Sequence, residues 1–301
     1  MSAALPPRHL LLALLVVAIW GTNFVVIKLA LATLPPLLFA TLRFLFALLP
    51  AAFFLPRPPV PRRELAAYGV LIGAGQFGLL YIAVGGHISP GLASLVVQTQ
   101  VFFTIGLAMW LDRGERLQGF QVAALALSVA GLVVIAAHTD ASTRASGLVL
   151  VLLAALAWAC GNLVARRAGR VNMLAYMVWS SLYALPPLVV LSLLIEGPAA
   201  IVQGLRSADL GTWAAVLWQS AGNTLFGYAA WAWLLARHPA ATVAPMALGV
   251  PVFGMAASAW WLGEPLPAWK LLAAALVMSG LALNLFWPQL RARLRPAPGT
   301  R

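Results

Sequence analysis

Charge is what this chain has least of. Only 9% of its 301 residues are Asp, Glu, Lys or Arg, against about 25% in a typical soluble domain. Seven acidic residues serve the whole chain beside nineteen basic ones. With 62% hydrophobic residues and a mean hydropathy of +0.93, a two-domain soluble protein is excluded and a polytopic membrane protein is indicated. The single cysteine, Cys160, sits inside an apolar run, so no intrachain disulfide can form. The net charge of +12 does not mark a nucleic-acid binder, because the basic residues lie in short loops rather than on one patch. No zinc-ligand spacing, P-loop or nucleophile elbow is present, so neither metal nor cofactor is expected. The four histidines, His9, His87, His138 and His238, lie near run ends and form no ligand pair. Gly73-x-Gly75-x-x-Gly78 fits the dinucleotide fingerprint, but it lies inside an apolar run rather than a strand-turn-helix, and reads as a small-residue face.

What the chain has in quantity is long apolar runs. A spanning helix needs about 20 mostly apolar residues. Ten runs qualify: 10–31, 36–54, 65–84, 91–111, 117–137, 147–166, 173–194, 213–235, 240–262 and 268–286. They are too long and too uniformly apolar for barrel strands, so the spans are helices. Pro35-Pro36, Ser89-Pro90 and His238-Pro239 place proline at or near helix starts, where its missing N–H costs nothing. Arg8 and His9 before an apolar run, with Ala30-Leu31-Ala32 after it, have the form of a signal peptide. The matching segment near Leu148 to Ala168 lies mid-chain, so the first run reads as a retained helix.

The stretch from Pro90 to Leu132 recurs without a gap 149 residues later. Pro90 matches Pro239, Val101 matches Val250, Glu115 matches Glu264, and Gly131 matches Gly280. The chain is therefore two copies of one unit: residues 10–137, residues 147–286, and a basic tail at 287–301. With the N-terminus inside, fourteen Lys and Arg residues fall in inner loops and four at the outer side, so both ends are cytoplasmic. Five helices per copy is an odd number, so the copies run in opposite directions. The expected fold is an all-α polytopic membrane protein of ten transmembrane helices in two inverted five-helix repeats. Inverted repeats are the architecture of alternating-access carriers, with the site near the midplane.

Polar groups inside spans are costly unless they face a cavity or a partner. No Asp or Glu lies within a run, which favours a facilitator over an ion-coupled pump; coupling through a His, a Tyr or a water path is the alternative. Trp20 with Asn23, and Trp158 with Asn162, each share a helix face, which Arg166 continues. They read either as facing cavity walls or as packing with an interhelical amide bond. Gln76 with Tyr81, and Asn223 with Tyr228, lie about 140° apart, so one of each pair can pack while the other lines the path. Gln98 and Gln100 point nearly opposite ways; Gln98 is favoured because it shares a face with Ser94. Arg43 starts about 10 Å into the second run. It either receives a substrate carboxylate or caps backbone carbonyls. Lys28 can snorkel to the interface. Pro186-Pro187, Pro245 and Pro251 offer kinks. Ala126/Ala130 and Ala275/Ser279 are repeat-equivalent small pairs suited to close helix packing.

Three runs carry a family resemblance: A-I-W-G-T-N-F-V-V-I-K (Ala18 to Lys28), P-P-L-L-F-A-T-L-R-F (Pro35 to Phe44) and A-W-A-C-G-N-L-V-A-R-R (Ala157 to Arg167). With the W-L-D-R-G-E-R-L and W-L-G-E-P-L turns, the chain resembles the EamA-type carriers of the drug/metabolite transporter superfamily over about residues 10 to 286. Within that group it looks most like the YddG-type exporters. The resemblance implies efflux of aromatic and other amino acids through a bacterial inner membrane. Family members often carry proline thirteen residues before the turn glutamate. Pro251 does so before Glu264, but Phe102 stands there before Glu115, so the fourth run lacks its proline kink and the halves differ. A proton-coupled exporter of drugs or lipid precursors would use a similar cavity. An intramembrane enzyme would need an acid-base or nucleophile set inside the spans, which is missing, and a scaffold would leave the paired polar groups without a purpose. The expected partners are a small-molecule substrate and the lipid bilayer, with no nucleic acid and no obligate protein.

Overall fold

In the computed structural model, described over residues 5–111, 118–138, 143–169 and 171–294, the protein is all helical with no strand among those residues. The helices are α1 (Pro7–Ala30), α2 (Pro36–Ala52), α3 (Arg62–Gly86), α4 (Pro90–Leu111), α5 (Gly119–Ala137), α6 (Ala145–Arg167), α7 (Met173–Leu191), α8 (Gly197–Ser207), α9 (210–237), α10 (240–262) and α11 (Ala268–Leu294). Eight of the helical stretches are long and apolar enough to cross a membrane. The remaining two expected spans are α2, apolar but 17 residues long, and α9, which carries Gln219, Ser220, Asn223 and Thr224 near its middle.

Local chemistry explains the helix ends. Proline opens α1, α2 and α4, where no N–H is needed. Asn172 caps α7 by accepting from the Leu174 and Ala175 N–H groups, and Asp209 caps α9 by accepting from Thr212. Gly197, at φ +81°, turns the chain from the end of α7 into α8. Gly263, at φ +65°, ends α10 in the left-handed conformation that glycine adopts without strain.

Four helices are broken in a paired pattern. A π-helical stretch occupies Leu71–Gly78 of α3 and another Trp218–Phe226 of α9, starting at positions 147 residues apart. A 3-10 turn occupies Val97–Thr99 of α4, and another Ala244–Leu248 of α10. At the repeat spacing of 149, residues 97–99 fall on 246–248, inside the second turn. The break in α4 therefore forms although Phe102 replaces the expected proline. Hydroxyls explain it: Thr99 Oγ1 donates to the Val96 carbonyl and Thr104 Oγ1 to the Gln100 carbonyl, which competes with the helix ladder.

α5 packs along α11, but not on the expected pairs. Ala126, Ala130, Ala275 and Ser279 are exposed. The contact uses Ala124, Ser128 and Gly131 against Ala273, Val277 and Gly280. A Cβ on Gly131 would lie 2.7 Å from Val277 Cγ2 and 2.9 Å from the Ala273 carbonyl; a Cβ on Gly280 would strike Ser128 and the Ala124 carbonyl. These partners are repeat mates, so each helix meets the other at the same repeat positions. Both helices are apolar all round with small residues on every face, so spacing alone does not select the packing face. Two of the histidines meet: His9 Nδ1 and His238 Nε2 are 2.7 Å apart, joining α1 to the end of α9. The fold brings together ends that are 229 positions apart in sequence.

Candidate functional site: a central cavity

The broken helices surround a cavity of about 500 Å3. Its wall is mostly apolar and aromatic, with Phe24, Phe77, Tyr68 and Trp231 among the lining residues. Of the ten residues proposed from sequence, nine line it: Trp20, Asn23, Arg43, Gln76, Gln98, Trp158, Asn162, Asn223 and Tyr228. Tyr81 does not; it is fully buried beside Arg43. Arg166 is exposed, away from the cavity wall.

The amide of Gln100, set aside in the sequence reading, also lines the cavity and accepts from Asn162 Nδ2 at 3.0 Å. The 3-10 turn accounts for this. At 3.6 residues per turn the two glutamines are about 160° apart; at 3.0 residues per turn they close to about 120°. Gln98 Nε2 lies 3.5 Å from the carbonyl of Ala247, its own repeat mate. Asn284 of α11 is a further lining amide that sequence reasoning passed over, although it is the one amide in its apolar run. Trp20 Nε1 donates to the Asn223 backbone carbonyl at 3.3 Å, within the π stretch of α9. Gly227 makes room for this indole, since a Cβ there would sit 2.5 Å from Nε1.

Arg43 is 0% exposed. Nε and Nη2 donate to Thr224 Oγ1 at 3.1 and 3.0 Å, and Nη1 donates to Tyr81 Oη at 2.9 Å. Its Cζ lies 3.6 Å from the Phe77 ring centroid, a cation–π contact. No backbone carbonyl is among its acceptors, so it is not the helix-end cap that was the alternative reading. Guanidinium has five N–H donors, and these bonds use three. Among the described residues the one ion pair is Lys270–Glu264, so Arg43 has no carboxylate. Behind it, Tyr81 Oη donates to Gln219 Oε1 at 3.1 Å, and Asn223 Nδ2 to the same oxygen at 3.4 Å. Two other carbonyl oxygens, Asn23 Oδ1 and Gln76 Oε1, are buried with no hydrogen-bond partner. Both residues line the cavity.

Among the described residues the carboxylates sit at helix ends rather than in the cavity wall. Glu264 is 7% exposed and Lys270 1%, with Nζ to Oε1 at 3.0 Å. Glu264 also accepts from the Ser89 hydroxyl and, at 3.1 Å, from the Gly91 N–H. It thereby clamps the N-terminus of α4, where the helix dipole favours an anion. Glu196, in a π turn that extends α7 past the expected end of its run, accepts from the Leu37 and Leu38 N–H groups at 2.5 and 3.0 Å. It clamps α2 in the same way. Lys28 does not snorkel freely but donates to the Val84 and Gly85 carbonyls at the end of α3. Glu115, the repeat mate of Glu264, lies outside the described residues.

Helices of spanning length around a mainly apolar cavity with a few convergent polar groups define a polytopic membrane transporter. Residues 8–137 and 145–286 match the EamA-like transporter family, and the chain belongs to that family. It is 42% identical over 290 residues to a probable amino-acid metabolite efflux pump of Salmonella typhimurium, spanning 94% of this chain and 97% of that one. It is 30% identical over 171 residues to the uncharacterized inner membrane transporter YedA of Escherichia coli, spanning 52% and 55%. A solved crystal structure superposes with a TM-score of 0.62 at 20% identity, covering 97% of this chain and 99% of the other, and shares the fold. The protein is a multi-pass transporter of the bacterial inner membrane.

Proposed function

We propose that the protein exports amino acids, aromatic ones among them, by alternating access between two inverted five-helix repeats. The observation that carries the substrate class is Arg43. A buried cation at the cavity wall, without a carboxylate partner and with two N–H donors unspent, is a receptor for an anionic group. Placing such a charge in the membrane costs about 2.5–3.5 kcal/mol on insertion scales, which a guest carboxylate offsets. The unpartnered oxygens of Asn23 and Gln76 supply acceptors for an ammonium group in the same cavity. The aromatic remainder of the wall suits large side chains. The name of the Salmonella relative agrees with this substrate class.

The repeat reading is supported by the paired breaks in α3/α9 and α4/α10, by the reciprocal packing of α5 on α11, and by the contact between the repeat mates Gln98 and Ala247. In this reading the repeats are residues 10–137 and 147–286, ten helices cross the membrane, and both termini and the basic tail are cytoplasmic. The cavity reaches Ala165, Met173, Leu235, Ala244 and Leu285, near the inner helix ends. In the same reading the Glu264 clamp lies at the outer ends and the cavity faces inward. Among the described residues no acidic side chain lines the cavity, which supports uniport. The test is competition in proteoliposome counterflow of labelled phenylalanine. Leucine and tryptophan compete, whereas phenylalanine methyl ester, which keeps the ammonium and lacks the carboxylate, does not. Equal competition by the ester would remove Arg43 from substrate recognition.

A further inference from the structure

The hydrogen-bond directions behind Arg43 form a one-way chain. Arginine only donates. Tyr81 Oη is therefore an acceptor towards Arg43 at 2.9 Å, and its single hydrogen must go elsewhere. Its other neighbour is the Gln219 side chain at 3.1 Å. Gln219 must turn its carbonyl oxygen, not its amide nitrogen, towards Tyr81. Asn223 meets that same oxygen at 3.4 Å and must present its NH2. Asn223 Oδ1 is then left as the acceptor at the cavity wall. An amide's orientation is normally set by its hydrogen-bond network; here the network starts from a group that cannot reverse. Gln219 Nε2 has no partner in this arrangement. Gln219 is 0% exposed and Tyr81 0%, and neither lines the cavity.

We infer that Tyr81 and Gln219 are positioning residues which fix the polarity of the substrate site, holding a donor at Arg43 and an acceptor at Asn223. This rests on the reading of the cavity as an amino-acid site and adds how the ammonium end is selected. Without the relay Asn223 turns freely and offers NH2 to the guest as readily as oxygen. Carboxylate recognition by Arg43 persists, because Thr224 still holds the guanidinium through two bonds. Loss of the relay thus weakens ammonium selection alone.

The experiment compares phenylalanine with 3-phenylpropionate, which lacks only the ammonium, as competitors of labelled phenylalanine counterflow in proteoliposomes. Wild type prefers the amino acid. Tyr81→Phe and Gln219→Met each lower that preference by about tenfold, the scale of one hydrogen bond to a charged group, with 3-phenylpropionate competing as before. Thermal unfolding of each purified variant reports folding. An unchanged preference in folded Tyr81→Phe and Gln219→Met overturns the relay alone. A wild type that prefers 3-phenylpropionate, or binds neither, overturns the relay together with the amino-acid reading.

Discussion

Glu264→Gln removes the charge of the ion pair and keeps part of the clamp around it. Ser89 and Gly91 donate to different oxygens of Glu264; the single amide oxygen can still accept from Ser89, while the NH2 that replaces the other oxygen cannot accept from the Gly91 N–H, so the charge and one hydrogen bond are lost. Lys270, 1% exposed, keeps a buried ammonium whose only carboxylate was 3.0 Å away. Removing one partner of a buried pair costs about 3–5 kcal/mol. If the pair exists only while the outer ends are closed, that cost falls on the closed state. At about 1.4 kcal/mol per decade, the closed-to-open ratio then drops by roughly a hundredfold to several thousandfold. The assay is thiol labelling of Ser94→Cys, on a Cys160→Ala background, with a membrane-impermeant reagent added outside. Ser94 is fully buried one turn inside the clamp. The cysteine is protected with Glu264 present and labelled in the Glu264→Gln variant. Lys270→Met added to Glu264→Gln removes the stranded charge and restores protection. A Glu264→Gln variant that loses thermal stability while the cysteine stays protected would show that the pair holds the fold and does not gate it.

Other consequences are measurable. Arg43→Met abolishes amino-acid counterflow without unfolding the protein, because it removes a cation that no carboxylate balances; Arg43→Lys retains the charge but loses the fork to Thr224 and Tyr81, and transports weakly. Gly131→Ala lowers stability by about 1–3 kcal/mol in thermal unfolding, as its methyl group meets Val277 and the Ala273 carbonyl. Gly106→Ala, with nothing within 4 Å of the new methyl, leaves stability unchanged or higher. Thr212's hydroxyl and then its backbone N–H hold the Asp209 carboxyl below its usual range. A depressed carboxylate contributes above the unfolded value of about 3.9 and is lost as pH falls through the folded one. Hydrogen exchange at the Thr212 amide therefore loses protection in acid, and Asp209→Asn flattens that pH dependence.

The membrane class and most of the polar residues of the cavity wall were legible in the sequence for one reason: a polar residue inside an apolar run is expensive and so is conspicuous. Trp20/Asn23 and Trp158/Asn162 stood out by spacing, and Arg43 by charge. What stayed hidden depends on backbone geometry or on distant partners. The 3-10 and π breaks re-aim Gln100 and alter which of Gln76 and Tyr81 reaches the cavity, and no side-chain period announces them. Glu264 and Glu196 looked like loop residues because their partners, Ser89, Gly91, Leu37 and Leu38, lie more than 150 positions away. The α5–α11 face was misassigned because alanine and glycine populate every side of both helices. Tyr81 was read as a substrate contact because its placement behind Arg43 is a tertiary fact.

Flux of labelled phenylalanine into liposomes of the purified protein, with and without an imposed proton gradient, tests the central claim most directly. Saturable flux that ignores the gradient, and that Arg43→Met abolishes, is the predicted result. Flux that requires the gradient contradicts uniport, and undiminished flux through the Arg43→Met protein contradicts the site.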